Sequence, residues 1–252
     1  MTDPSKIGPL KFAGRVIAHR GASGHAPENT IAAMKRAAEL GARWVEVDVK
    51  LSQDGALVLL HDDTLERTTN ARGPVQNATA ATLAGLDAGR WFGATFAGER
   101  IPTFAQFAEI CSALKLQANI EIKPCPGRER ETAAALAASL RRHWPADLPP
   151  LVSSFAESAS DAFHAAMPEI ARGFLTGTIP PDNRLAGLAG QYVAIHAGVS
   201  HLKALDVRRA KAKGFQVLVW TVNDPQQAQV LFDMGVDAVF SDFPERILNL
   251  GL

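Results

Sequence analysis

The strongest constraint on this chain is a rhythm. Short β-branched runs alternate with helical patterns almost from end to end, and the helix-to-strand junctions repeat as Leu40-Gly41-Ala42, Lys213-Gly214-Phe215 and Met234-Gly235-Val236. Glycine directly after a helix takes the left-handed cap conformation without a side-chain penalty. Asn223-Asp224-Pro225 reads as the opposite signal, a helix start with Asp as N-cap and Pro at the first helical position. Strands separated by helices run parallel, because each helix carries the chain back to the same end of the sheet.

Nine runs read as strands: Val16–His19, Trp44–Leu51, Leu57–His61, Asn119–Lys123, Leu151–Ser154, Ile170–Leu175, Tyr192–His196, Phe215–Thr221 and Ala238–Ser241. Helical patterns cover Asn29–Leu40, Thr103–Leu114, Glu129–Arg142, Ser158–Ala166, Leu202–Lys213 and Pro225–Met234. About eight repeats in a chain of 252 residues fit a closed TIM (β/α)8 barrel better than an open doubly wound sheet, and no GxGxxG supports the open form. Leu57–His61 is the extra strand, since the turn at Asp54-Gly55 makes it the return arm of a hairpin. Asp63–Arg100 breaks the rhythm, is rich in Thr, Gly and Ala, and is too long for a structureless loop. It reads as a small insertion folded over one end of a single domain spanning residues 1–252.

Lys+Arg and Asp+Glu number 26 each, so no global charge draws the chain to nucleic acid or an anionic membrane. No run of about 18 apolar residues exists, which argues against stable membrane insertion. Met1–Gly14 lacks the apolar stretch of a secretion leader. Cys111 and Cys125 form neither a CxxC nor a zinc pattern and read as reduced thiols. The expected setting is the cytoplasm.

Trp44–Leu51 carries the chemistry. Alternation puts Val45, Val47, Val49 and Leu51 under the helices and turns Trp44, Glu46, Asp48 and Lys50 to the barrel axis. Asn119–Lys123 repeats the pattern, with Ile120 and Ile122 on one face and Asn119, Glu121 and Lys123 on the other. Three carboxylates converging in a barrel interior repel one another and are costly to bury without a cation. Glu46, Asp48 and Glu121 are therefore candidate ligands of a hard divalent ion, Mg²⁺ or Ca²⁺. The competing arrangement is an ion-pair network with Lys50 and Lys123.

His19 and His61 each close a strand, and barrel active sites lie at the C-terminal ends of strands. They are candidates for general acid and base. Arg20 and Lys123 are candidate phosphate clamps. Alternation sends Arg20 away from His19 unless the strand has already ended there. Trp220, at a strand end, could pack on a substrate's carbon skeleton or serve as core. His25, His143, His164, His196 and His201 lack comparable company and read as structural. No nucleophile elbow surrounds Ser153-Ser154.

The segments His19-Arg20-Gly21, Pro27-Glu28-Asn29-Thr30, Glu46-Val47-Asp48, His61-Asp62, Ile101-Pro102-Thr103, Glu121-Ile122-Lys123, Ser154-Phe155, Trp220-Thr221-Val222-Asn223 and Ser241-Asp242, in that order, resemble the glycerophosphodiester phosphodiesterase family. The resemblance covers nearly the whole chain. It implies a TIM-barrel enzyme in which Glu46, Asp48 and Glu121 bind the metal, His19 and His61 exchange protons, Arg20 and Lys123 meet the phosphate, and Trp220 contacts glycerol. Glu28 would orient Arg20 or help bind the metal. The implied reaction releases sn-glycerol 3-phosphate and an alcohol from a small glycerophosphodiester, and the family pattern admits attack by the substrate's own 2-hydroxyl. Two alternatives stand beside it. One is a lysophospholipase D-type activity, weakly allowed by Trp91, Phe92 and Phe96. The other is a barrel that binds a phosphorylated ligand without catalysis.

Overall fold

Alternation along β2 (Trp44–Leu51) sets the architecture: all eight of its residues are buried, as a strand covered on both faces requires. A computed structural model describes residues 10–251; residues 1–9, on which most of the expected absence of a leader falls, lie outside the described residues. β1 (Val16–Ala18), β2, β4 (Gln117–Ile122), β5 (Leu151–Ser154), β6 (Ala171–Thr176), β7 (Ala194–Gly198), β8 (Gln216–Trp220) and β9 (Ala238–Ser241) pair in parallel. Pairing of β1 with both β9 and β2 closes the sheet into an eight-stranded barrel. β3 (Leu57–Leu59) returns antiparallel on the end of β2, with Leu51 opposite Leu57, and stays outside the closed ring.

Helices follow the strands in sequence. α1 (Ile31–Glu39), α3 (Phe104–Leu114), α4 (Glu129–His143), α5 (Glu157–Ala166), α6 (Asp182–Leu188), α7 (Ala204–Ala212), α8 (Pro225–Asp233) and α9 (Pro244–Leu248) lie outside the barrel, and α2 (Ala80–Gly85) belongs to the segment after the hairpin. Their starts are chemically marked. Thr30 caps α1 by accepting from the Ala33 N–H, Thr103 and Gln106 form a capping box on α3, and Asp224 caps α8 ahead of Pro225. Each such cap contributes about 1 kcal/mol. α6 and α9 were not expected from the sequence: they span under two turns, and Gly187 interrupts α6, so neither shows a readable period. β7 begins two residues later than the expected Tyr192, because Tyr192 leaves the sheet. Its ring lies 4.2 Å from the Arg172 guanidinium and its hydroxyl bonds Ser160.

The valines of β2 and the isoleucines of β4 pack against α1, α3 and α4 in one cluster with Met34, Phe104, Phe107 and Leu136. Inside the ring, near the strand N-termini, Ile17, Trp44, Leu151, Ala171, Ala194, Leu218 and Ala238 form an apolar layer, with the Phe12 ring tilted against Trp44 at a centroid distance of 4.9 Å. Residues 63–100 carry a small apolar cluster of their own, in which Leu65, Val75, Leu83 and Ala88 pack on Val58, Leu60, Ile101 and Cys125. Among the described residues no helix is long and apolar enough to cross a membrane.

Candidate active site

Glu46, Asp48 and Glu121 meet above the apolar layer. The parallel register sets Asp48 beside Glu121 and Glu46 beside Asn119, and one oxygen from each of the three acids lies within 4.8 Å of the others. All three point to the axis, and Glu46 and Asp48 are almost wholly buried. Two cations answer three anions. Arg20 Nε lies 3.4 Å and Lys123 Nζ 3.7 Å from Asp48, and Lys123 Nζ also donates to Glu121 at 3.2 Å. Lys50 does not join them, because its Nζ donates to Asp63 at 2.6 Å and to the Lys123 carbonyl at 3.0 Å.

The neutralisation is incomplete. Burial, then the Asp48 and Glu121 charges, push the Glu46 carboxyl well above the carboxylate range. Burial and Asp48 push Glu121 up to about 7. Asp48 goes the other way: burial opposes its ionisation, but Arg20, Lys123 and His61 overcome that and hold it below the usual range. Glu46 Oε1 and Asp48 Oδ1 are buried without a hydrogen-bond partner. Hard anionic oxygens left unpaired around a common centre fit a hard divalent cation.

The two histidines are built alike. β1 ends at Ala18, and Arg20 follows in the left-handed region at φ 55°, so the strand has ended before Arg20 and both His19 and Arg20 line the mouth. The chain can turn there because Gly21 lies against α1: a Cβ on Gly21 would sit 2.7 Å from the Ala33 backbone. His19 Nδ1 lies 2.7 Å from Asp242 Oδ1, and Asp242 also accepts from Ser23 and Asn223 at 2.9 and 2.7 Å. Those bonds hold the Asp242 pKa at about 2 despite burial. His61 lies two residues past β3, and its Nδ1 is 2.6 Å from Asp62 Oδ1. Each carboxylate accepts the Nδ1 proton, which leaves Nε2 free to take or give one.

Arg20 is aimed by Glu28, whose Oε1 accepts from Nη1 at 2.8 Å; the Arg20 N–H donates to Glu46 at 2.9 Å. Glu28 therefore orients Arg20. Asn29 supports Asp48 from both sides, donating to Oδ2 at 2.9 Å and accepting the Asp48 N–H at 3.1 Å. A cavity of about 160 Å³ collects His19, Arg20, Glu46, His61, Glu121, Lys123 and Trp220. Phe155 and Trp220 form its apolar wall, edge to face at 5.7 Å. An open groove lined by His61, Asp62, Asp63, Lys123 and Phe155 continues outward. Trp91, Phe92 and Phe96 line neither space; they pack edge to face on one another.

All eight residues singled out in the sequence thus border one space or supply its charge. His196, expected as structural, lies on the floor of the cavity, with both ring nitrogens unpartnered and burial pushing its pKa down to about 3. Asp62, Asp242, Asn29, Asn223 and Arg67 were missed as supporting groups. Four of them sat inside or beside the recognised motifs; Asp62 alone adjoins a candidate histidine in the sequence, and Asn29, Asn223 and Asp242 meet their partners only through the fold.

Three converging acids, two of them buried, with two carboxylate-held histidines and two cations around a cavity at the C-terminal ends of barrel strands define a barrel hydrolase of anionic esters. Residues 19–246 match the model of the glycerophosphoryl diester phosphodiesterase family. The chain is 36% identical over 241 residues to a glycerophosphodiester phosphodiesterase of Caldanaerobacter subterraneus subsp. tengcongensis, covering 93% of this chain and 96% of that one. Its fold superimposes with a TM-score of 0.90 and 44% identity on an Oleispira antarctica phosphodiesterase in complex with the product sn-glycerol-3-phosphate, over 93% and 95% of the two chains. A glycerophosphodiester phosphodiesterase from Thermotoga maritima gives a TM-score of 0.75 at 28% identity, over 94% and 97%. The chain belongs to the glycerophosphodiester phosphodiesterase family, and its activity is phosphoric diester hydrolysis.

Proposed function

We propose that this chain hydrolyses glycerophosphodiesters to sn-glycerol 3-phosphate and an alcohol in a metal-dependent reaction, with His19 and His61 as the acid/base pair. The observation that carries this is the convergence of Glu46, Asp48 and Glu121 with buried oxygens left unpaired. A divalent ion, Mg²⁺ or Ca²⁺, held by these three would neutralise a non-bridging phosphate oxygen. Arg20 and Lys123 face the same space and supply fixed positive charge where the transition state gathers negative charge. One histidine takes the proton of the attacking hydroxyl through Nε2, and the other delivers a proton to the leaving alcohol. Asp242 and Asp62 keep each ring in the required tautomer. Trp220 and Phe155 offer apolar edges to the glycerol carbons. The product held by the Oleispira antarctica relative supports the glycerol phosphate end of this reading.

Two buried free thiols, Cys111 and Cys125, are compatible with the reducing cytoplasm as the setting. The substrate is a small molecule; the aromatic residues that could have favoured a lysophospholipid line neither the cavity nor the groove. The test is release of sn-glycerol 3-phosphate from glycerophosphocholine with and without EDTA, alongside lysophosphatidylcholine. Product that appears from the first substrate and stops with EDTA supports the reading. Full activity in EDTA overturns the metal, and a faster rate on lysophosphatidylcholine overturns the substrate.

A further inference from the structure

Arg67 lies in the turn after the hairpin, inside the segment read as an insertion. Its guanidinium grips two carboxylates at once. Nη1 and Nη2 donate to Glu28 Oε2 and Oε1 at 2.6 and 2.8 Å, while Nε and Nη2 donate to Asp62 Oδ2 and Oδ1 at 2.6 and 2.9 Å. Both carboxylates have a second partner. Glu28 Oε1 accepts from Arg20, and Asp62 Oδ1 faces His61 Nδ1. An unbroken chain therefore runs Arg20–Glu28–Arg67–Asp62–His61, joining a phosphate-facing cation to an acid/base histidine through a residue that lines neither the cavity nor the groove.

We propose that Arg67 is a positioning residue for the phosphodiesterase reaction, clamping Glu28 and Asp62 so that Arg20 and His61 face the same phosphate. The proposal rests on the roles given above to Arg20 and His61. Geometry favours arginine here, because only a planar fork with several donors can hold two carboxylates bidentately; an ammonium would meet one of them as a point charge. An isolated exposed ion pair contributes little, and Arg67 is 44% exposed at its side chain. This is not an isolated pair: Glu28 is only 11% exposed, and four short bonds converge.

The backbone beneath Arg67 is fixed. Leu65 is buried in the small apolar cluster and its N–H donates to the Gly73 carbonyl, while the Thr69 N–H and hydroxyl both donate to the Leu65 carbonyl at 3.1 and 2.6 Å. The fork is thus presented by a folded turn, as a precise second layer of support demands. His19 is served differently: its Asp242 is held by Ser23 and Asn223, neutral donors at the barrel rim. Among the described residues Asp62 has side-chain partners only in Arg67 and His61, so loss of Arg67 leaves it tethered by the imidazole alone and free to turn to water.

The experiment uses the full chain with Mg²⁺ present and compares wild type, Arg67→Met, Arg67→Lys, Asp62→Asn and the Arg67→Met/Asp62→Asn double variant. Nitrogen-15 spectra of the histidine rings, with His61 assigned through His61→Asn, read the tautomer directly. Wild type should show a single Nδ1-protonated form at His61. Arg67→Met should shift it toward the mixture a free imidazole shows, and lower kcat on glycerophosphocholine on the order of 10-fold to 100-fold with KM little changed. Arg67→Lys should fall between the two, and it serves as the readout if Arg67→Met does not fold. In the Asp62→Asn background the methionine substitution should add less than its effect alone, as coupled residues do. Unchanged His61 resonances and kcat, a rise confined to KM, or fully additive losses would overturn the proposal. A wild type inactive on every glycerophosphodiester would refute the functional reading instead, and the ring spectra would still decide the role of Arg67.

Discussion

The two ends of the barrel interior are built from the same strands and to opposite rules. β2 contributes Trp44 to the lower layer and Glu46 to the upper; β5 contributes Leu151 and then Ser153; β7 contributes Ala194 and then His196. Each pair is two residues apart on one face, about 7 Å along a strand. The lower layer is apolar and gains stability from burial and packing. The upper layer holds Glu46, Asp48 and Glu121, and Glu46 and Asp48 each keep one buried oxygen without a hydrogen-bond partner. A chain that keeps such a layer gives up stability for a site, and the division between scaffold and chemistry falls within single strands.

The sharpest way to break this comparison is to substitute one residue from each layer. Asp48→Asn should remove several kcal/mol of transition-state stabilisation, roughly a thousand-fold or more in kcat, with the fold retained on circular dichroism. Trp44→Ala, a residue 1% exposed at the base, should cost about 3–5 kcal/mol in chemical unfolding while the folded fraction keeps its kcat. If the base variant lost catalysis first, or the acid variant lost the fold, the two layers would not be separable. His19→Ala and His61→Ala should each lower kcat about a hundred-fold or more in steady-state assays, and leave the unfolding midpoint near that of wild type.

A smaller effect concerns pH. Without metal, Glu121 titrates at about 7 in the folded chain, above the ordinary carboxylate value, because burial and Asp48 oppose its charge. Between those two values the folded state holds more protons than the unfolded one, so stability falls as pH rises through the window. Unfolding in EDTA at pH 5, 6 and 7 should show that decline, and excess Mg²⁺ should flatten it. Asp242 acts with the opposite sign: its folded pKa of about 2 lies below the unfolded value, so its contribution is present above that value and is lost as pH falls through about 2. The two windows do not overlap.

Much of this was readable in advance because strands and their ends are local. Alternation along Trp44–Leu51 placed Glu46 and Asp48 on the axis, and strand ends picked out His19, His61 and Trp220, all of which border the cavity. What was not readable depends on closure of the ring. Asp242 follows β9 and meets His19 just beyond β1 only because those strands pair, 223 residues apart in sequence. Arg67 hid in a turn between β3 and α2, where its fork reaches back 39 residues to Glu28. The left-handed Arg20 could not be inferred from alternation, which sends it away from the site, and α6 is too short to show a period.

The central claim is that the upper layer is a metal site, and calorimetric titration of the metal-free chain with Mg²⁺ and with Ca²⁺ tests it most directly. One ion should bind per chain, with protons released at pH 6 because Glu46 and Glu121 are held above the ordinary carboxylate range. Asp48→Asn should abolish the signal. Binding of neither ion, or equal binding by Asp48→Asn, would contradict the account.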